Sequence, residues 1–210
     1  MAAHIVRDSS VLQAPIGARA PAHRMTDWWR ISPGGPLSIA LQLEPTLTLP
    51  AVEYRWDSDT RILSAALTAH EGAERAPARG ANGSVEVEGE DGSWLTLDLD
   101  DGCVRGVQVA VWPPVRRRAQ LSPPRPPARA GRARLKLPAG TSADVVLSLE
   151  VTAPLRAEAD PAETNFHFVL GRKRAAVSVA IAADILLELD ERDHLSGLWL
   201  LNVPPTPTSA

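Results

Sequence analysis

The sequence lacks several features that would assign it quickly to a class of protein. It has 210 residues and one cysteine, Cys103, so an internal disulfide is excluded. Aromatic residues make up only 4%, and no apolar run is long enough to span a bilayer. The N-terminal residues show no basic start followed by an apolar stretch, the pattern of a secretory signal. These absences predict a cytoplasmic protein without a transmembrane segment.

Acidic residues are missing from one stretch, residues 116 to 136, which is rich in arginine and proline. Such a composition favours an extended spacer, and we predict a solvated linker over residues 116 to 134. Phosphate contacts or a polyproline ligand are alternative roles for it. The net charge of −3 and the lack of an aromatic platform beside the linker argue against a nucleic-acid partner.

The sequence does contain regular alternation of apolar and polar residues, which predicts β-strands. The alternation covers residues 37–49, 52–67, 85–111, 135–151 and 165–203, with turn residues between the segments. Asn82-Gly83 is expected to be a tight turn rather than a glycosylation site. Residues 165–182 are expected to form one hairpin around the turn Gly171-Arg172-Lys173-Arg174, and residues 185–203 another.

Two of the predicted hairpins resemble each other. Residues 95–100 correspond to residues 185–190, Gly106 corresponds to Gly197, and both hairpins end at a Pro-Pro pair. Further upstream, residues 54–56 are similar to residues 166–168, and residues 37–43 are similar to residues 145–151. The repeated order predicts an internal duplication, with the basic linker between the two copies.

The same residues carry a family resemblance. Trp56-Asp57-Ser58-Asp59, continuing to Leu67, and the stretch from Leu97 to Val107 together resemble a small bacterial β domain, the domain of unknown function twenty-two eighty-three. The resemblance covers about half of the chain and implies a fold rather than an activity. The insertion from His70 to Gly83 departs from the compact family pattern, and the second copy lacks the Asp-Gly turn.

Candidate chemical groups are few. The acidic residues Asp98, Asp100 and Asp101 do not have the spacing of a calcium-binding loop, so we expect no metal and no cofactor. Asp98 and Glu188 alternate with leucines and are expected to point to solvent. Cys103 has no histidine near it in sequence, so we expect a turn residue rather than a nucleophile.

The candidate binding residues fall into two sets. The first is a partner-binding set in the arm and linker: Trp28, Trp29, Arg116, Arg117 and Arg118. The Trp pair would cover the core or reach a partner, because Trp is favoured at interface hot spots. The second set consists of Tyr54, Trp56, Trp94 and His167, which would line a pocket if the sheet closes around a cavity.

We therefore predict an all-β fold of two related antiparallel units, packed as a sandwich or a partly open barrel. The predicted segments are an irregular arm (residues 1–36), a first unit (37–115), the linker (116–134), a second unit (135–205) and a tail (206–210). The expected function is that of a non-catalytic protein-binding or assembly protein, an accessory subunit with a protein partner. The alternative is a β-barrel that binds a small molecule, as an isomerase or cyclase type of enzyme or a ligand carrier.

Overall fold

A computed structural model gives the fold of the chain and describes residues 39–68, 81–124, 129–137, 146–172 and 176–207. These residues form fourteen β-strands and no helix. The predicted all-β class is confirmed. Among the described residues, no helix is long and apolar enough to cross a membrane.

The strands follow one another along the chain. They are β1 (Leu41–Pro45), β2 (Val52–Trp56), β3 (Leu63–Leu67), β4 (Asn82–Glu88), β5 (Trp94–Asp100), β6 (Cys103–Val111), β7 (Val115–Arg117), β8 (Arg129–Leu135), β9 (Val146–Thr152), β10 (Leu155–Ala159), β11 (Phe166–Leu170), β12 (Ala176–Ala182), β13 (Ile185–Asp190) and β14 (Leu195–Leu200).

Ten of these strands form two five-stranded antiparallel units. The first unit has the order β2-β3-β6-β5-β4, and the second has the order β10-β11-β14-β13-β12. Each unit is a two-stranded hairpin followed by a three-stranded meander, and the second strand of the hairpin pairs with the last strand of the meander. The two units therefore have the same topology.

The other four strands complete one curled sheet, in which β8 connects the two units because it pairs with β12 and, at Arg134, with Cys103 of β6. Strand β9 pairs in parallel with β4, and β8 pairs in parallel with β12 and antiparallel with β1. Strand β7 pairs in parallel with β10 at one end of the sheet. The sheet curls strongly, and the described residues adopt the partly open barrel that the sequence predicted as one of two arrangements.

The core lies on the concave face and follows from the alternation within each strand. Leu97, Val107, Phe168, Leu187 and Leu198 are all at most 1% exposed and belong to a single continuous cluster from both units. Burial of one such side chain contributes on the order of 2 kcal/mol. The interior of the sheet is thus filled by apolar side chains.

The predicted solvated linker is wrong in part, because two strands begin within or beside it. Val115–Arg117 forms β7, and Arg129–Leu135 forms β8. In β8, Gly131, Ala133 and Leu135 face inward while arginines alternate outward. Two of these inward residues have little or no apolar side chain. The alternation of inward and outward residues was therefore hard to recognise among the arginines.

Three further predictions are wrong. Asn82 and Gly83 are not a turn but the start of β4, where a side chain on Gly83 would collide with the Leu147 carbonyl of β9. Residues 165–182 do not form a hairpin, because β11 pairs with β10 and β14 while β12 pairs with β13 and β8. Strand β10 was not predicted, and it takes the position in the second unit that β2 takes in the first, so residues 54–56 of β2 are not the counterpart of residues 166–168 of β11 as predicted.

Candidate functional site

A groove of about 730 Å³ lies on the outer face of the second unit, opposite the core. Strands β10, β11, β13 and β14 supply its floor, and β7 with residues 118–122 supplies one wall. Phe166 and Phe168 of β11 are buried in the core, so His167 between them faces the groove. The groove residues used below are Arg116, Arg118, Arg156, His167, Glu188 and Trp199.

A histidine, a carboxylate and an indole meet at the floor of the groove. Nε2 of His167 lies 3.1 Å from Oε2 of Glu188, and the indole N–H of Trp199 donates to Oε1 of Glu188 at 2.9 Å. The rings of His167 and Trp199 stack with their centroids 4.2 Å apart. An ionised carboxylate only accepts hydrogen bonds, so Nε2 of His167 is the donor in this contact.

Glu188 was expected from the sequence to point to solvent, and this prediction is wrong in part. The half-buried side chain does lie opposite the core, but it is held by Trp199 and His167 rather than pointing freely into solvent. Its two oxygens are oriented by donors from two neighbouring strands. The carboxylate in turn fixes the orientation of the imidazole ring, as in sites where a histidine has a defined role.

The first unit has no such cluster at the equivalent place. By the strand pairings, the equivalent residues are Ser64 for His167, Asp98 for Glu188 and Gln108 for Trp199. The amide of Gln108 donates to the Ser64 hydroxyl at 3.3 Å, which is a small polar contact without an aromatic ring. The His-Glu-Trp cluster is therefore specific to the second unit and is not required by the shared topology.

A glycine opposite the acid is common to both units. Gly197 pairs with Glu188, and Gly106 pairs with Asp98. A Cβ on Gly197 would lie 2.4 Å from Oε2 of Glu188, whereas a Cβ on Gly106 would lie 2.9 Å from Oδ2 of Asp98. In both units the missing side chain leaves room for an acidic side chain to lie across the neighbouring strand. The sequence-level match of the two glycines thus has a spatial basis.

Arginines form the wall above this cluster. Arg118 pairs with Glu158 at 2.7 Å, and Arg117 pairs with Glu163 at 2.7 Å outside the groove. Arg116 lines the groove and is exposed, and no carboxylate among the described residues forms an ion pair with it. Arg156, also exposed, reaches only the carbonyl of Gly171 at 3.4 Å. The groove therefore offers two guanidinium groups that are not neutralised by a described carboxylate, Arg116 from the wall and Arg156 from β10.

A smaller pocket, of about 260 Å³, lies between the two units. Trp56 and Trp112 stack there with centroids 5.6 Å apart, and Trp112 lies 5.0 Å from the ring of Phe166. The indole N–H of Trp112 donates to the carbonyl of Arg61 at 3.0 Å. This pocket is mainly apolar and aromatic.

The structure does not bring the four predicted pocket residues together. His167 lines the large groove, and Trp56 lines the smaller pocket. Tyr54 and Trp94 line neither cavity. The Tyr54 hydroxyl donates toward the carbonyls of Leu201 at 2.8 Å and Asp184 at 3.2 Å, where burial, with a further effect of the Asp184 charge, raises its pKa. Through these hydrogen bonds, Tyr54 of the first unit contacts the backbone of the second unit.

The other sequence candidates carry no site in the described part of the chain. Trp28 and Trp29 lie outside the described residues. Cys103 is the buried first residue of β6, and burial raises the pKa of its thiol, which disfavours the thiolate form of a nucleophile. Within the described ranges, no three His, Cys, Asp or Glu side chains are grouped so as to hold a metal ion.

Two comparisons with known proteins give no match. Neither a scan against protein-family models nor a search of curated proteins finds one for this chain.

Sequence inspection missed Glu188 and Trp199 as partners of His167, and it missed Arg156. The useful signal was the position of His167 between two phenylalanines in an alternating strand, which placed it outside the core. Its partners lie 21 and 32 residues further along the chain, on β13 and β14. Only the pairing of β11 with β14 brings them together.

Proposed function

We propose that the chain is a non-catalytic binding protein, an accessory subunit that receives an acidic segment of a protein partner in the groove of the second unit. The observation that carries this proposal is the arginine wall beside the His-Glu-Trp cluster, on one unit only. Guanidinium groups bind carboxylates with two parallel hydrogen bonds, and arginine is enriched at interfaces.

The charges favour an acidic rather than a basic partner. Arg118 is already paired with Glu158, whereas Arg116 and Arg156 have no described carboxylate partner. Both are exposed and line the groove, so they can meet carboxylates of a partner without a large desolvation cost.

The test is a charge reversal of Arg116 and Arg156 with affinity purification from the native cells. The double variant R116E/R156E should recover at least about tenfold less partner than the wild type, a difference of about 1.4 kcal/mol. The matched control is R55E, which reverses an exposed arginine on β2 whose side chain is 80% exposed. Recovery should also fall as the salt concentration rises, because contacts of exposed charges are screened.

Equal recovery by the wild type and R116E/R156E would overturn the assignment of the groove. Recovery that falls to the same extent in R55E would show a general charge effect rather than a site.

A small anionic ligand is the second candidate, and the oriented His167 favours it. A histidine that is held by a carboxylate and lines a groove can bind a polar ligand or exchange a proton with it. This candidate site differs from the pocket inside a barrel that the sequence predicted. Buried side chains fill the interior of the sheet, and the groove lies on the outer face. A thermal shift of the purified chain with small carboxylates or phosphates, absent in H167A, would favour this candidate over a protein partner.

We also infer that the two units arose by duplication of one ancestral unit. The common strand order and the equivalent positions of Gly106 and Gly197 support this inference. A relationship to the domain of unknown function twenty-two eighty-three, and a cytoplasmic location, remain proposals that rest on the sequence.

A further inference from the structure

A segment of the chain itself forms part of the lining of the smaller pocket. The last described residues, Pro204, Pro205, Thr206 and Pro207, follow strand β14 and lie beside Trp56, which stacks on Trp112. The indole N–H of Trp56 donates to the carbonyl of Pro204 at 2.9 Å, and Thr206 forms part of the pocket lining.

The start of this tail is fixed by a buried anchor. Val203 is 1% exposed, and its N–H donates to the carbonyl of Thr164 at 2.8 Å. Beyond this anchor, residues 204–207 are exposed. Among the described residues, the hydrogen bond from Trp56 to the Pro204 carbonyl connects this part of the tail to the stacked tryptophans. The tail is thus anchored by the buried Val203, whereas the residues after Val203 are exposed.

The chemistry of the contact is that of polyproline recognition. Proline has no N–H and a fixed φ, so a proline-rich segment is extended, and its carbonyl groups are left without intrachain partners. Proteins recognise such segments with aromatic grooves, which pack against the flat proline rings. An indole N–H at the edge of the groove supplies the donor that a proline carbonyl needs.

We propose that the pocket between Trp56 and Trp112 is a recognition site for proline-rich segments, and that residues 204–207 are its resident ligand in cis. The occupant in trans is a proline-rich segment of a protein partner, which displaces the tail. This inference concerns a surface separate from the arginine groove and does not rest on the function proposed for that groove.

Competition from the tail determines the expected affinity. A tethered segment of this length acts at an effective concentration in the millimolar range. A free peptide must therefore compete with a local excess of the chain's own prolines. Removal of the tail should strengthen the binding of a proline-rich peptide by tenfold or more, whereas the intact chain should bind it weakly.

The experiment uses a chain that ends at Val203 and a synthetic peptide, Val-Pro-Pro-Thr-Pro-Thr, with the sequence of residues 203–208. Isothermal titration should show binding to the truncated chain at least about tenfold tighter than to the full chain. A peptide with alanine for each proline should not bind. W56F in the truncated chain keeps an aromatic ring but removes the donor, so it should weaken binding about fivefold. W94F, a half-buried tryptophan outside the pocket, is the matched control.

If the truncated chain does not fold, the proposal is tested on the full-length chain by an NMR titration with the same peptide. In its NMR spectrum, excess peptide should shift the indole N–H resonance of Trp56 and leave that of Trp94 unchanged. The proposal is overturned if the folded truncated chain does not bind the peptide, if W56F binds it as well as W94F does, or if the alanine peptide binds equally.

Discussion

Replacement of Gly197 by alanine should destabilise the protein, because the new methyl group would collide with Glu188, whose carboxylate forms the hydrogen bonds at the floor of the groove. The added Cβ would lie 2.4 Å from Oε2 of Glu188 and 3.1 Å from the carbonyl oxygen of Phe168. The Glu188 carboxylate must then move, and it would lose the hydrogen bonds of His167 and Trp199. Hydrogen bonds to charged groups are worth about 1.5 to 3 kcal/mol each. Alanine itself is better than glycine in a strand by about 0.5 to 1 kcal/mol. The net loss in unfolding free energy should be about 2 kcal/mol or more.

Gly106 provides the matched control in the first unit. A Cβ there would lie 2.9 Å from Oδ2 of Asp98, which is on an exposed residue and can swing away. The variant G106A should therefore change the unfolding free energy by less than about 1 kcal/mol. Urea unfolding followed by far-ultraviolet circular dichroism measures both variants, with the m-value unchanged if only stability has changed.

A double-mutant cycle tests the assigned cause. In an E188A background the side chain that meets the new methyl group is gone, so G197A should lose most of its cost. The coupling energy should be at least about 1 kcal/mol. Equal losses for G197A and G106A, or an undiminished cost of G197A in the E188A background, would refute the reasoning.

Two other perturbations test the contacts that hold the ends of the sheet. R134A should lower the unfolding free energy by about 2 kcal/mol in a urea titration, because Arg134 is only 19% exposed and bonds both Glu44, at 2.6 Å, and Asp101, at 3.4 Å. The control R132A, at 54% exposed, should cost less than about 1 kcal/mol; equal costs would contradict this explanation. D57A should destabilise the protein at neutral pH, because the amide of Thr60 lowers the pKa of Asp57 below its ordinary value of 3.8. The stabilisation is present above that pH and is lost as pH falls through the lowered pKa, so the difference between D57A and the wild type should shrink progressively below pH 3.8. A difference that is constant with pH would contradict this assignment.

The sequence was a good guide to strands that combine strong alternation with large apolar residues. The hairpin of β5 and β6 and that of β13 and β14 were predicted with their turns, since leucine and valine mark the inward positions. Strands β8 and β10 were harder to recognise. Their inward positions include Gly131, Ala133, Ala157 and Ala159, which are too small to give a clear apolar period.

Pairing between distant strands was not accessible from local patterns. Residues 166–182 look like a hairpin because two alternating segments flank a polar turn, yet β11 continues to β14 rather than to β12. The same non-local pairing creates the candidate site, because it sets His167 against Trp199. The outward direction of His167 was therefore predictable, whereas its partners were not.

Site-specific photo-crosslinking in the native cells tests most directly whether the second unit carries the binding surface. A photoreactive amino acid would replace Ser122, an exposed residue in the groove wall, or Ala66, an exposed residue on β3 of the first unit. We expect position 122 to give a specific product whose crosslinked peptide is acidic, and that product should disappear in R116E/R156E. Position 66 should give no such product. Crosslinks of equal yield from both positions, or a product from position 122 that survives the charge reversal, would contradict the proposed function.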